Sequence, residues 1–246
     1  MKKTIAILTL LTAIMTNLFA QSKAQFEADT FKTDKGREVV ITFIKHGTLM
    51  MTVDGYTIHI DPVTMFGTDY SQLPKADLVL VSHEHPDHFD IKAIKMVKKS
   101  DTRCFGNHVV AQGIPNCMPL APEQTITPRD YISITATLSY NITKGHEQFH
   151  PKGHGIGFLI AIDNMKFYIA GDTEDIVELE MLKDIDVAFL PVNQPYTMTT
   201  NQCIHAIHML MPKVVYPYHY GETDLTPIVK HFDDNKEVEV RIRQMQ

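Results

Sequence analysis

The chain has 246 residues, 44% of them hydrophobic and 21% charged, which is enough to bury a full core as one domain and too apolar for a disordered chain. Its formal net charge of −6 comes without a basic patch, which argues against a nucleic-acid surface and leaves a small-molecule substrate as the expected partner. The cysteines, Cys104, Cys117 and Cys203, are odd in number and lack CxxC spacing, which argues against a zinc–cysteine site or a thioredoxin-type motif.

Residues 1–20 carry Lys2-Lys3, an apolar run from Ile5 to about Ile14, and Ala20 before Gln21-Ser22. This is the outline of a signal peptide, too short and wrongly flanked for a stable membrane span after cleavage. The expectation is an exported protein, periplasmic or secreted, whose mature chain bears 21 basic and 29 acidic residues. In that compartment Cys104 and Cys117 could pair if their strands lie together, leaving Cys203 free on a helix; spacing alone does not fix the connectivity. Residues 21–36 are polar and are read as a flexible mature N-terminus, with the folded domain over 37–246. Oligomeric state has no signal in the sequence.

Strand-like runs follow at Val39–Ile44, Thr48–Val53 and Tyr56–Ile60, punctuated by Gly47 and by Asp54-Gly55, a strong hairpin signal. These predict three antiparallel strands. Asp77–Val81 reads as a buried strand after the Pro74 turn, and Asp90–Lys99 as a helix with an acidic start and a basic end. A short strand at Thr102–Phe105 and a short helix from Asn107 complete the first half. The second half repeats this grammar. Tyr131–Leu138 alternates like a strand, Gly155–Ile162 and Lys166–Ala170 form a hairpin around Asp163-Asn164, and Glu174–Leu182 reads as a helix. Strand 187–190, helix 199–211, strand 213–216, helix 226–232 and strand 237–242 follow. Strands first and βα alternation later, in both halves, predict an α/β fold of two mixed sheets packed face to face with helices outside.

Between the strand ending at Val81 and the helix at Asp90 stands Ser82-His83-Glu84-His85-Pro86-Asp87-His88. Neutral imidazoles and a carboxylate are ligands for Zn²⁺ and other first-row metals. In an extended segment residues two apart point the same way, so His83 and His85 can face one ion. Pro86 turns the chain, so Asp87 and His88 can face a second. A HExxH zinc-protease helix is a poor competitor, because it needs histidines at i and i+4 on a helix and position 87 is Asp. Later strand ends supply further donors: Phe149-His150-Pro151-Lys152-Gly153-His154, Gly171-Asp172-Thr173 and His219-Tyr220-Gly221. His205 and His208, three apart on a helix, are read as surface or packing residues, and His59, alternating within a strand, as structural.

In this order His-x-His-x-Asp-His, a mid-chain histidine, Gly-Asp-Thr and His-Tyr-Gly resemble the metallo-β-lactamase superfamily. The segments 58–62, 79–83, 168–173 and 186–191 look like its broad branch that includes ascorbate-phosphate lactonases. The likeness covers about residues 39 to 221, with motifs specific for fold and metal centre and weak for substrate. It implies a four-layer αββα sandwich. It also implies two divalent metal ions, Zn²⁺ first with Mn²⁺ or iron as alternatives: one on His83, His85 and a mid-chain histidine, the other on Asp87, His88 and His219, with Asp172 between them. Many relatives have a histidine at the position of Asn141; here His150 takes that part, with His154 and His146 as alternatives. His46, Asn141, Tyr196 and Tyr218 are expected around the substrate pocket. The implied activity is hydrolysis of a small ester, lactone or phosphoester by a metal-bridging hydroxide, with Asp87 orienting it as the catalytic residue. The alternative is a non-catalytic metal-binding protein that keeps the fold.

Overall fold

The computed structural model describes residues 26–245. The signal peptide expected over 1–20, and residues 21–25, lie outside the described residues. Strands β1 (Ala28–Lys32), β2 (Glu38–Lys45), β3 (Thr48–Val53), β4 (Tyr56–Ile60), β5 (Ala76–Val81), β6 (Lys98–Gly106) and β7 (Cys117–Pro119) lie side by side in chain order as one sheet. A second sheet runs β8 (Thr125–Arg129), β9 (Ile132–Ser139), β10 (Gly155–Ile162), β11 (Met165–Ile169), β12 (Val187–Pro191), β13 (Val214–Tyr218) and β14 (Glu239–Val240). Each begins with antiparallel pairs and ends with parallel ones, the change falling after β4 and after β11.

The local chemistry explains the layout. Asp54 and Gly55 both have positive φ, 47° and 76°, as a two-residue primed turn requires, and they close the β3–β4 hairpin. The strands that turn parallel are buried on both faces, which is why β5 and β12 read as unbroken apolar runs. Between the sheets, Ile41, Phe43, Leu49 and Ile58 share a core with Phe158, Phe167 and Phe189. On the outer face of the first sheet, Val79, Val81 and Cys104 pack with Ile94 and Val97 of α1 (Ile91–Val97) and Val110 of α2 (His108–Gly113). Outside the second, α3 (Thr200–Leu210) and α4 (Thr226–Phe232) bury Cys203, Ile207, Ile228 and Phe232. The four-layer αββα sandwich is thus the observed architecture. Among the described residues no helix is long and apolar enough to cross a membrane.

Several expectations need correction. The segment read as a flexible terminus contains β1, paired from Ala28 to Lys32 with β2. It is an edge strand whose residues are exposed or half-buried, so it lacks an apolar signature, and Asp29 ties it down through Arg243 at 2.6 Å and Arg241 at 3.4 Å. The helix expected over 174–182 is only a 3₁₀ segment, Val177–Met181, because the Glu174 carboxylate instead accepts the backbone N–H groups of Ile142 and Thr143. The helix expected to Lys99 ends at Val97, where Lys98 turns extended and opens β6. Strand 237–242 shrinks to Glu239–Val240. Neither β7 nor β8 is legible in the sequence, both being short, with no fully buried position.

β7 matters for the cysteines. Cys104 and Cys117 are register partners on neighbouring parallel strands and form a disulfide, with Cα atoms 4.6 Å apart. Cys203 is buried and free on α3.

Candidate metal centre

The donors gather where the C-terminal ends of the strands in both sheets meet. His83, His85, Asp87 and His88 follow β5, Asp172 follows β11 and His219 follows β13. His46 stands in the β2–β3 turn. His83, His85 and His150 present donor atoms within 4.8 Å of one another; so do His83, His88 and Asp172, and so do His46, Asp87, His88 and His219. Asp172 is central: its carboxylate lies 3.2 Å from His150, 3.3 Å from His88, 3.4 Å from His219 and 3.8 Å from His83.

Local backbone geometry aims these groups. Gly171 has φ +65°, and a Cβ there would stand 2.8 Å from the Ile156 carbonyl, so only glycine makes the turn that points Asp172 inward. The Gly171 N–H donates to the Tyr218 hydroxyl, and Ser139 Oγ donates to the Asp172 carbonyl. His46, Asp61 and His219 all adopt left-handed φ, between 46° and 52°, an uncommon concentration of constrained backbone for non-glycine residues.

Of the three mid-chain histidines, the loop after β9 brings His150 to the other donors. Asn141 donates its amide to the Tyr196 and His146 carbonyls, and its backbone N–H to the His150 carbonyl. This folds the loop back so that His150, donating Nδ1–H to the Tyr196 carbonyl, brings Nε2 to 3.2 Å from His85 Nδ1. His146 faces Glu174 instead, and His154 is half exposed beside Glu84. Asn141 and Tyr218 are buried and act from beneath the site rather than lining a pocket, while Tyr196 contributes its carbonyl and leaves its ring exposed.

Asp61 was not singled out as a site residue, yet it holds the centre. Its carboxylate accepts from His88 Nδ1 at 2.8 Å, from Ser82 N at 2.7 Å and from Ser82 Oγ at 2.6 Å. That fixes the His88 tautomer with Nε2 free to ligate, the carboxylate–histidine support common behind metal ligands. The signals for Asp61 in the sequence are a carboxylate at a strand end before Pro62 and its place in segment 58–62 of the family likeness.

The donor set fits a metal. His83 Nε2, His88 Nε2, both His219 nitrogens and Asp172 Oδ1 are buried without a hydrogen-bond partner, an expensive arrangement unless a cation takes their lone pairs. Burial, then the neighbouring His88, holds His83 well below its ordinary pKa, and burial likewise lowers His85 and His46. Burial opposes ionisation of Asp172 and Asp87, but His219 and His88 around the first, and His219 and His46 around the second, keep both carboxyls low. His88 is the exception: burial would lower it, yet Asp172 and Asp61 raise it well above the usual range. A metal bound there must displace that proton.

The remaining histidines behave as read. His59 is buried in β4 and donates to the Pro74 carbonyl; His205 meets Asp175, and His208 meets His231, on the surface.

The fold and this centre define a metallo-β-lactamase-type metal-binding protein. The family model of the beta-lactamase superfamily domain matches residues 40–219, and the chain belongs to that superfamily. Its relatives make it a metal-dependent hydrolase. It is 30% identical over 165 residues to a UPF0173 metal-dependent hydrolase of Nanoarchaeum equitans, a match spanning 64% of this chain and 74% of that one. Among solved structures, a Parabacteroides distasonis protein provisionally described as a metal-dependent hydrolase shares 46% identity with a TM-score of 0.87, covering 90% of this chain and 100% of its own. Igni18, a metallo hydrolase from Ignicoccus hospitalis, shares 25% identity with a TM-score of 0.70 over 84% of this chain and 95% of its own.

Proposed function

We propose that the chain is an exported two-metal hydrolase of small esters, lactones or phosphoesters. The observation that carries this reading is the Asp172 carboxylate, whose Oδ2 lies 3.2 Å from His150 of the first set and 3.4 Å from His219 of the second, while Oδ1 lies 3.3 Å from His88. His83, His85 and His150 would hold one ion and Asp87, His88 and His219 the other, with Asp172 within reach of both sets. Two divalent cations held there, zinc first and manganese or iron otherwise, would supply Lewis acidity and lower the pKa of bound water. Asp87, with 30% of its side chain exposed, would orient the attacking water as well as ligate. The imidazole lining excludes bulk water, since His83, His88, His150 and His219 are all buried.

A cleft of about 240 Å³ opens onto His83, His85 and His150, walled by Glu84, Phe149 and His154. Its size supports a small substrate. The Cys104–Cys117 disulfide supports export, since such bonds persist in oxidising compartments.

The test is metal analysis of the purified protein together with an ester, lactone and phosphodiester panel, using His85→Ala and Asp172→Ala as controls. Two metals per chain and turnover lost by orders of magnitude in both variants are expected. Unchanged metal content and turnover in both would overturn the reading. Two metals with no turnover on any substrate class would favour the non-catalytic alternative.

A further inference from the structure

The two clusters are not equivalent. Facing the first ion are three imidazoles and an open cleft; facing the second are Asp87, His88 and His219, with His46 packed among them. We propose that His46 is a further protein ligand of the second metal, closing that ion and leaving the first as the one that meets substrate. This rests on the two-metal reading above.

Four observations converge on His46. Its side chain is 12% exposed, and its ring lies 3.7 Å from the His219 ring and 4.7 Å from Phe66, centroid to centroid. The backbone locks the pair together: the His219 N–H donates to the His46 carbonyl at 3.2 Å, and the His46 N–H donates to the Met245 carbonyl. The next residue is Gly47, where a Cβ would fall 2.7 Å from His88 Cε1, so the turn closes onto His88 only because that position lacks a side chain. The His46, His219 and His88 Nε2 atoms stand 3.2, 3.4 and 3.9 Å from one oxygen, Asp87 Oδ2.

The alternative is that His46 only hydrogen-bonds Asp87. A histidine or carboxylate that merely supports a ligand binds the side of it turned away from the metal, as Asp61 does on His88 Nδ1. His46 instead shares the inward oxygen with the two other imidazoles and lies within 4.8 Å of every donor of that cluster. Metal–nitrogen bonds of about 2.0–2.1 Å place opposed ligand atoms about 4 Å apart, so the spread needs only a small contraction. Three imidazoles and two carboxylates then surround the second ion, counting Asp172, against three imidazoles and Asp172 on the first. The cleft borders the first set.

The test uses the full-length mature protein labelled with ¹⁵N-histidine and loaded with ¹¹³Cd²⁺ as the probe. One-bond cadmium–nitrogen splitting on His46, on the same ion that couples to His88 and His219, is expected. Splitting on His88 and His219 with none on His46 would overturn the proposal and leave two-metal binding intact. A single cadmium per chain, coupled only to His83, His85 and His150, would overturn both, and stoichiometry separates that result from the former. As a second measurement, His46→Gln should weaken the second equivalent of Zn²⁺ on the order of 10- to 100-fold with the first unchanged, judged on protein whose circular dichroism matches wild type. Equal affinity for both equivalents in wild type and variant would also overturn it.

Discussion

Single side chains decide how well this centre is aimed. Asp61 is buried beneath the site, and its carboxylate accepts from His88 Nδ1, which leaves Nε2 to ligate. We predict that Asp61→Asn lowers affinity at the second site by about 10- to 100-fold, measured by competition with a chromophoric chelator, because the amide no longer favours the required tautomer. Unchanged affinity would remove Asp61 from that role. His59 makes a different prediction, on stability. Burial depresses its pKa from 6.5 to about 4, and its Nδ1 has no partner. The unfolded chain therefore takes up this proton near pH 6.5 while the folded chain resists until about pH 4. Stability from this group is full above the unfolded value and declines as pH falls through that window, by about 3 kcal/mol in all. Urea midpoints at pH 7 and pH 4.5 should show a smaller loss in His59→Gln than in wild type; parallel losses would refute the assignment. His83, His85, Asp87 and His88 were legible because six consecutive positions carry them. Asp61 was not, since one carboxylate before a proline looks like any turn.

At the scale of elements, most of the long periodic segments matched, and the short exposed strands did not. Thr199 caps α3 and forms a capping box with Gln202, a start signal visible in the sequence. β7, three residues long, owes its place to pairing with β6 and to the Cys104–Cys117 bond. Linking residues 13 apart constrains the unfolded chain, and the double variant Cys104→Ser, Cys117→Ser should lose about 3 kcal/mol, with reductant acting alike on wild type. Identical denaturation curves with and without reductant would mean the bond contributes nothing. The helix expected at 174–182, which forms only as a 3₁₀ segment, shows the opposite pressure. Glu174 is spent on the 141–143 loop that carries His150, so a segment with helical spacing is given to the site.

For the whole molecule, metals bound as proposed would tie the two sheets together, because the candidate ligands come from the end of β5 in one and from the strand ends of the other. Ions that bind only the folded state stabilise it by about 2.7 kcal/mol per site at a hundredfold excess over Kd. Chelation should therefore lower the melting temperature on the order of 10 °C, reversibly on adding Zn²⁺. An unchanged melting temperature after verified metal removal would contradict this coupling. By itself the sequence determined the sandwich, through hydrophobic periodicity and turn residues, and the main ligand run, through local spacing. These are properties of neighbours along the chain. The likeness favoured His150 and put Asp172 between the two sets, but position along the chain could not by itself exclude His146 and His154 or anchor β1 through Asp29. Those depend on groups up to 214 residues apart meeting in space, and the packing of one sheet on the other is what brings them together.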